Sequence, residues 1–316
     1  MSVRIFIDST CDLPAELRAT LPTVALTVRF GDVEYRDGVD ITHREFYTKL
    51  TESSDLPTTS QASPNDFLEA LKTHLSPDDQ AIIITVSGKL SGTCQSAVIA
   101  SQDYGGRVFV VDSKNVAIGT GILVQYALQL VQRGMSAPEI VSALENQRER
   151  VRVIALLDTL EYVKRGGRIS KTAAFAGALL NIKPVACIED GEIKILGKAR
   201  GSKMGNNLLV EHIEKSGGVD FSMPLLLGYT GVSDELLRQY IEDSAHLWRD
   251  STASLPQTAI GSVIGTHAGP GAIAVAFFKK AENFKKQREC SLFFILCAAG
   301  RGYCSKYSSI RSKNVI

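Results

Sequence analysis

Three short segments hold the side chains best suited to chemistry: Thr58-Thr-Ser-Gln-Ala-Ser63, Ser87-Gly-Lys-Leu-Ser-Gly-Thr93 and Gly265-Thr-His-Ala-Gly-Pro-Gly271. Each is small and polar and adjoins the end of an expected element. Taken singly, their residues have plain structural uses. Ser91 lies where a helix N-cap is expected, and Thr59 and Ser60 precede a helix as loop residues. Taken together they suit an anion. Exposed N–H groups and the positive end of a helix favour a carboxylate, and a serine hydroxyl there adds a donor. A neighbouring threonine and a histidine, Thr59 and His267, would complete a mostly uncharged clamp. Spacing alone leaves open whether the three segments converge.

A second chemistry uses the same side chains. Ser91 and His267 could serve as nucleophile and base of a hydrolase, with Asp112 or Asp8 as the orienting acid. No G-x-S-x-G elbow accompanies them. Other signatures are missing too. No G-x-x-x-x-G-K-[ST] loop occurs, and Pro270 interrupts the glycines around His267, which weakens a dinucleotide reading. The five histidines are scattered, and no H-E-x-x-H motif supports a metal.

The elements that must position these groups alternate between β-rich and helical runs. Val3–Asp8, Thr23–Phe30, Ala81–Val86, Arg107–Val111 and Val151–Leu157 read as strands. Helices are expected over Pro14–Ala19, His43–Leu50, from Ser63, from the Ser91 loop to about Gln102, over Asn115–Arg133 and after Ser136. Thr42 with Glu45 and Ser136 with Glu139 form capping boxes. This alternation predicts a largely parallel sheet. After Gly166-Gly167 the order changes. Asp190-Gly191 between Ile182–Ile188 and Glu192–Leu196 signals a two-residue hairpin. Helices follow over Ser202–Lys215 and Ser233–Trp248, with strands at Pro224–Tyr229, Gln257–Ile264 and Ala272–Phe278. The expected fold is α/β with two α/β domains, the second with a mixed or antiparallel sheet. Residues 1–160 and 161–280 are assigned to them, and 281–316 to a tail.

Five motifs in order resemble the DegV family: Asp8-Ser-Thr-Cys-Asp-Leu-Pro14, Thr59-Ser-Gln61, Leu90-Ser-Gly-Thr93, Leu160-Glu-Tyr-Val-Lys-Arg-Gly-Gly-Arg168 and Gly265 to Gly271. They cover roughly Val3 to Phe278. Members of that family include the fatty-acid-binding subunits of bacterial fatty acid kinase. The resemblance implies one long-chain fatty acid enclosed between two domains, its carboxylate held by Thr59, Ser91 and His267, with Ser60 nearby. It also implies a separate ATP-binding kinase subunit that phosphorylates the bound acid. Arg168 and Arg200 match basic positions that would contact the phosphoryl group or that partner. On this reading the chain is a lipid-binding accessory protein, not itself an enzyme, with no cofactor or metal and no catalytic residue of its own. A lipid sensor or chaperone without a kinase is the alternative. Phe175–Leu180 and Ile260–Ile264 are candidates to line the acyl tunnel.

Bulk properties fit a globular carrier. The 316 residues are 44% hydrophobic and 22% charged, with a net charge of +1 that gives no global field for nucleic acid. From Ala281 onward seven Lys or Arg stand against two Glu, so the preceding 280 residues carry −4. That basic tail, with Phe293 and Phe294, is a candidate for transient membrane contact. The longest apolar run, Leu292–Ala299, is too short to span a bilayer. The six cysteines form no C-x-x-C pair and read as free thiols, and Val3–Asp8 begins without a signal peptide, so a cytoplasmic setting is expected.

Overall fold

The structure, a computed structural model, describes residues 2–169, 182–248 and 254–281. Its first half runs β1 (Val3–Asp8), α1 (Ala15–Arg18), β2 (Thr23–Val24), β3 (Thr27–Phe30), β4 (Val33–Arg36), α2 (His43–Glu52), β5 (Thr58–Ser60) and α3 (Pro64–His74). It continues through β6 (Gln80–Thr85), α4 (Thr93–Ser101), β7 (Val108–Asp112), α5 (Ile118–Gln132) and α6 (Ala137–Arg148). The second half begins with β8 (Val151–Leu156), α7 (Glu161–Arg165), β9 (Ile182–Glu189), β10 (Glu192–Arg200) and α8 (Ser202–Lys215). It ends with β11 (Leu225–Tyr229), α9 (Glu235–Asp243), α10 (Ala245–Trp248), β12 (Gln257–Ala259), α11 (Ser262–Ala268) and β13 (Ile273–Phe278).

Strands β2-β1-β6-β7 form an all-parallel sheet. The strand period of two divides its side chains between two cores. Ile5, Ile7, Ile82 and Ile84 face the core shared with α5 and α6, whereas Phe6, Ala81 and Ile83 face the one containing α2, α3 and α4. Both strands are therefore apolar on both faces, as a covered parallel sheet requires. Capping boxes open α2 (Thr42, Glu45), α3 (Ser63, Asp66) and α6 (Ser136, Glu139), fixing where each helix leaves its loop.

The second sheet is mixed, in the order β10-β9-β8-β13-β11-β12. All its neighbours are antiparallel except β11 and β12. The β9–β10 hairpin turns at Asp190 (φ 50°) and Gly191 (φ 79°), the paired positive angles that suit the right-handed twist of its strands. One face packs on a core around Trp248, Tyr240, Leu209 and Ile213. These two sheets define two α/β domains, and α5 lies between them against β1 and β6 on one side and β8, β11 and β13 on the other. Two glycines permit that approach. A Cβ at Gly119 would come within 2.3 Å of Val153, and one at Gly121 within 2.2 Å of the Asp12 carbonyl oxygen. A small antiparallel sheet, β4-β3-β5, flanks the parallel one.

Several elements differ from their sequence patterns. The run Thr23–Phe30 is two strands in two sheets, broken where the Leu26 N–H donates to Ser9 Oγ instead of a ladder partner. Val151–Leu156 joins the mixed sheet, because alternation of elements does not say which sheet receives a strand. Gln257–Ile264 is strand only to Ala259. From Ser262 the chain is helical, so His267 stands on the last turn of α11 and not in a loop. Thr58–Ser60 is a strand rather than a loop, and Ser233–Trp248 breaks at Ser244 into α9 and α10. Helix α5 starts at Ile118 rather than Asn115, because Ala117 has a left-handed φ of 55°.

Candidate functional site

The three polar segments converge. Thr59 projects from β5, an edge strand of the small sheet, and His267 from the end of α11. Thr59 Oγ1 and His267 Nε2 lie 3.0 Å apart, although 208 positions separate them in the chain. Ser91 sits one residue before the N-cap Gly92 of α4 rather than at the cap itself. Its Oγ accepts the Thr93 N–H at 3.3 Å and pairs with Thr93 Oγ1 at 2.9 Å. Gln61 binds the strand segment to that helix by donating from Nε2 to Ser96 Oγ at 3.3 Å. Gly92 makes the contact possible, since a Cβ there would lie 2.1 Å from Gln61 Oε1.

Arg168 closes the same cluster. Its Nη1 donates to the Gly166 carbonyl at 2.6 Å, and its Nε lies 3.5 Å from the carbonyl of Leu90. The guanidinium is exposed, as is Ser60, so the polar end of the site faces solvent. Arg200 is not brought into this group. It ends β10 opposite Ile182, exposed and away from the lining residues.

Electrostatics hold the imidazole neutral. Burial, reinforced by the positive charge of Arg168, pushes His267 down to about 4. Its Nδ1 is buried against Gly166, where a Cβ would approach to 2.1 Å, and has no hydrogen-bond partner among the described residues. The cluster thus presents hydroxyls and an uncharged ring, with one arginine at its rim. The hydrolase arrangement is not assembled. Ser91 is bonded to Thr93 and His267 to Thr59. Asp8 is engaged with Thr10 and Val86, and Asp112 with Gly88 and Lys114, leaving neither to orient the ring.

Behind the polar cluster lies a cavity of about 450 Å³, within the usual size of small-ligand sites. Its floor is a row of residues aligned in register across four strands of the mixed sheet: Ala186, Ala155, Ala274 and Gly228. At the spacing of adjacent strands this trench runs about 14 Å. Larger aliphatic residues flank it, Val153 and Ile188 on the same strands and Leu157 just past the end of β8, and Ile260, Val263 and Ile264 cover it. Those three lie within the tunnel segment expected from sequence, whereas Phe175–Leu180 falls outside the described residues. Gln61, Gly166 and the Ala/Gly row were not singled out by sequence reasoning. The signal available was a small residue within each otherwise bulky strand, but β13 offers two, Ala274 and Ala276, and the register that selects one is not written locally.

The DegV family model, described as an uncharacterised protein family, matches residues 2–280. The chain belongs to the DegV family. A DegV domain-containing protein of Caldanaerobacter subterraneus subsp. tengcongensis is 38% identical over 281 residues, covering 88% of this chain and 99% of that protein. The solved structure of a DegV family protein from Thermus thermophilus, described as fatty acid binding, is 33% identical. It matches with a TM-score of 0.78 over 88% of this chain and all of that one. The fatty acid kinase B3 protein of Streptococcus pneumoniae, loaded with linoleic acid, shares the fold at 22% identity. Its TM-score is 0.75, covering 89% of this DegV chain and 100% of its own. Among the described residues no helix is long and apolar enough to cross a membrane, and no three His, Cys, Asp or Glu side chains gather as metal ligands.

Proposed function

We propose that this DegV protein encloses one long-chain fatty acid and presents its carboxylate to a separate ATP-dependent kinase subunit. The observation that carries the reading is the aliphatic cavity ending in the neutral Thr59, Ser91 and His267 cluster at the protein surface. An acyl chain of about 14 methylenes gains on the order of 10 kcal/mol from burial before ordering costs, so the tail supplies most of the affinity. The hydroxyls and the imidazole orient the headgroup. Ser60 stands beside them at the rim. The fatty-acid-binding description of the Thermus thermophilus relative supports the ligand class. The residues involved come from both proposed domains, 1–160 and 161–280, so the ligand lies between them.

In the kinase reaction a carboxylate oxygen attacks the terminal phosphorus of ATP, forming an acyl phosphate and releasing ADP. Arg168, exposed beside the clamp, is placed to contact the transferred phosphoryl group. Arg200, exposed and outside the cavity, is assigned to the kinase subunit's docking surface. Such an exchange belongs in the cytoplasm, where ATP is supplied.

Mass spectrometry of an organic extract from the purified, denatured protein tests the ligand assignment. A stoichiometric long-chain acid is expected, and its absence after gentle purification would remove the carrier reading. Incubation of the loaded protein with ATP and a candidate kinase subunit tests the second step. Failure of every such subunit to form acyl phosphate would leave a lipid sensor or chaperone.

A further inference from the structure

The motif Asp8-Ser-Thr-Cys-Asp-Leu-Pro14 has no place in the clamp described above, yet one of its carboxylates reaches the helix that carries His267. Helix α11 begins at Gly261, which has no side chain to cap it. Two aspartates from the other half of the chain do so instead. Asp12 Oδ1 accepts the Gly261 N–H at 2.8 Å, and Asp37 Oδ1 accepts the Ser262 N–H at 3.0 Å. Both residues are buried, with 1% and 3% of their surface exposed. Both flank one point of the backbone. A Cβ at Gly261 would lie 3.2 Å from Asp12 Oδ1 and 3.5 Å from each oxygen of Asp37. The remaining oxygen of each carboxylate, Oδ2, is buried and has no hydrogen-bond partner among the described residues.

Burial and the neighbouring negative charges favour the protonated form of Asp12. A proton there lowers the charge crowded at the first turn of α11, while both Oδ1 atoms still accept the helix N–H groups. The rest of the helix is fixed by contact. Tyr47 Oη donates to the Ile260 carbonyl at 3.1 Å, and Gly265 packs so closely on α2 that a Cβ would meet Tyr47 Oη at 2.4 Å. With the first turn held by two carboxylates and the middle held by Tyr47, the last turn has one position, and it carries His267.

We propose that Asp12 and Asp37 act together as positioning residues that set His267 against Thr59. Burial, the first cause, pushes Asp12 up to about 8, and Asp37 and Asp8 add to it against the Gly261 N–H and Arg18. The charged or titratable groups facing the pair are Asp8 and Cys11 at the end of β1, Arg18 on α1, and His43 and Tyr47 on α2. His43 is itself held below its ordinary range by burial, so it brings no full positive charge to Asp37 at neutral pH.

The proposal rests on the carboxylate-clamp reading for its meaning, but its first readout needs no ligand. The full chain would be prepared as wild type, Asp12→Asn, Asp37→Asn and the double variant, and the His267 ring followed by NMR across pH. Native mass spectrometry would measure retention of added oleate alongside. Each single variant keeps an oxygen acceptor for α11, and Asp12→Asn also replaces the carboxyl proton with an amide N–H. The wild-type His267 signal and oleate retention are therefore expected in both singles. In wild type both change as pH rises past about 8, where Asp12 loses its proton, and in Asp12→Asn that alkaline change is absent. The double variant puts an amide at both positions and leaves no carboxylate there to accept from the new NH2 groups. It should shift the His267 signal and lower oleate retention by at least about tenfold. A double variant that is folded by circular dichroism and matches the singles would overturn the proposal. So would an Asp12→Asn variant that retains the wild-type alkaline change. Oleate failing to bind wild type would sink the carrier reading alone and leave the His267 readout to decide the pair.

Discussion

His267 Nε2 lies 3.0 Å from Thr59 Oγ1, while Nδ1 on the other side of the ring is buried with no partner among the described residues. A single polar contact thus orients the imidazole from the ligand side, and packing orients it from behind. Removing the contact should free the ring without emptying the core. Thr59→Val keeps the shape and removes the hydroxyl, and His267→Ala removes the other partner. Each is expected to lower fatty acid retention by about tenfold with the fold preserved, the scale of a lost buried hydrogen bond. The double variant should be little worse than either single. Native mass spectrometry of oleate-loaded protein reads all three, and full retention in both singles would remove these residues from the clamp.

The packing behind the ring is testable separately. Gly166 has an ordinary helical backbone, φ −66°, so alanine there brings no conformational strain. It does bring a Cβ to 2.1 Å from His267 Nδ1. Gly166→Ala should therefore displace the imidazole and weaken fatty acid retention while changing the melting temperature little. A variant that binds as wild type does would show that the ring has room to spare.

Protonation of His267 has a defined sign. Its value near 4 in the folded protein lies below the ordinary 6.5, so between these limits the unfolded chain takes up the proton first. Stability contributed by the neutral ring is complete above pH 6.5 and is lost as pH falls toward 4. His267 should titrate near pH 4 in lipid-free protein by NMR. Arg168→Ala removes a positive neighbour and should raise that midpoint. A bound carboxylate should raise it as well, because it favours the charged ring. A lipid-free midpoint near 6.5 would show that the imidazole is solvated and not held as described.

The sequence disclosed the types of the clamp residues but not their settings. Asp190-Gly191 announced its hairpin, and Thr42 with Glu45 its capping box, because those signals are written within four residues. The segment around His267 was misread as loop because Gly265, Gly269 and Gly271 punctuate it. Gly265 is instead a helical position where Tyr47 demands the absence of a side chain. Ser91 was placed as a cap for want of the one-residue offset that puts Gly92 there. Thr59 meeting His267, and two aspartates capping a helix more than 220 positions away, depend on tertiary pairing that no local pattern encodes.

The Ala186, Ala155, Ala274 and Gly228 row gives the cavity a direction. Ile169, next to Arg168, bridges to Ile193 on β10, which puts the clamp at the β9–β10 side of the sheet. Gly228 lies at the opposite end, where a Cβ would reach Ile260 Cδ1 at 2.6 Å and Ile118 Cγ2 at 3.1 Å. An acyl chain fixed at its carboxylate and laid across the strands meets Ala155 before Ala274, and Ala274 before Gly228. Filling the trench at Ala274 should therefore truncate the accessible length rather than abolish binding. Ala274→Leu is expected to shift the extracted acids toward shorter chains, and Ala155→Leu to lower total lipid as well. Both crowd a packed face at a cost of about 1–3 kcal/mol, so a thermal melt accompanies each. Gly228→Ala, meeting only the mobile ends of two isoleucines, should trim the longest chains alone. Chain-length profiles of the extracted acids check the order. If Ala274→Leu keeps the wild-type profile at full occupancy, the acyl tail does not lie along this row.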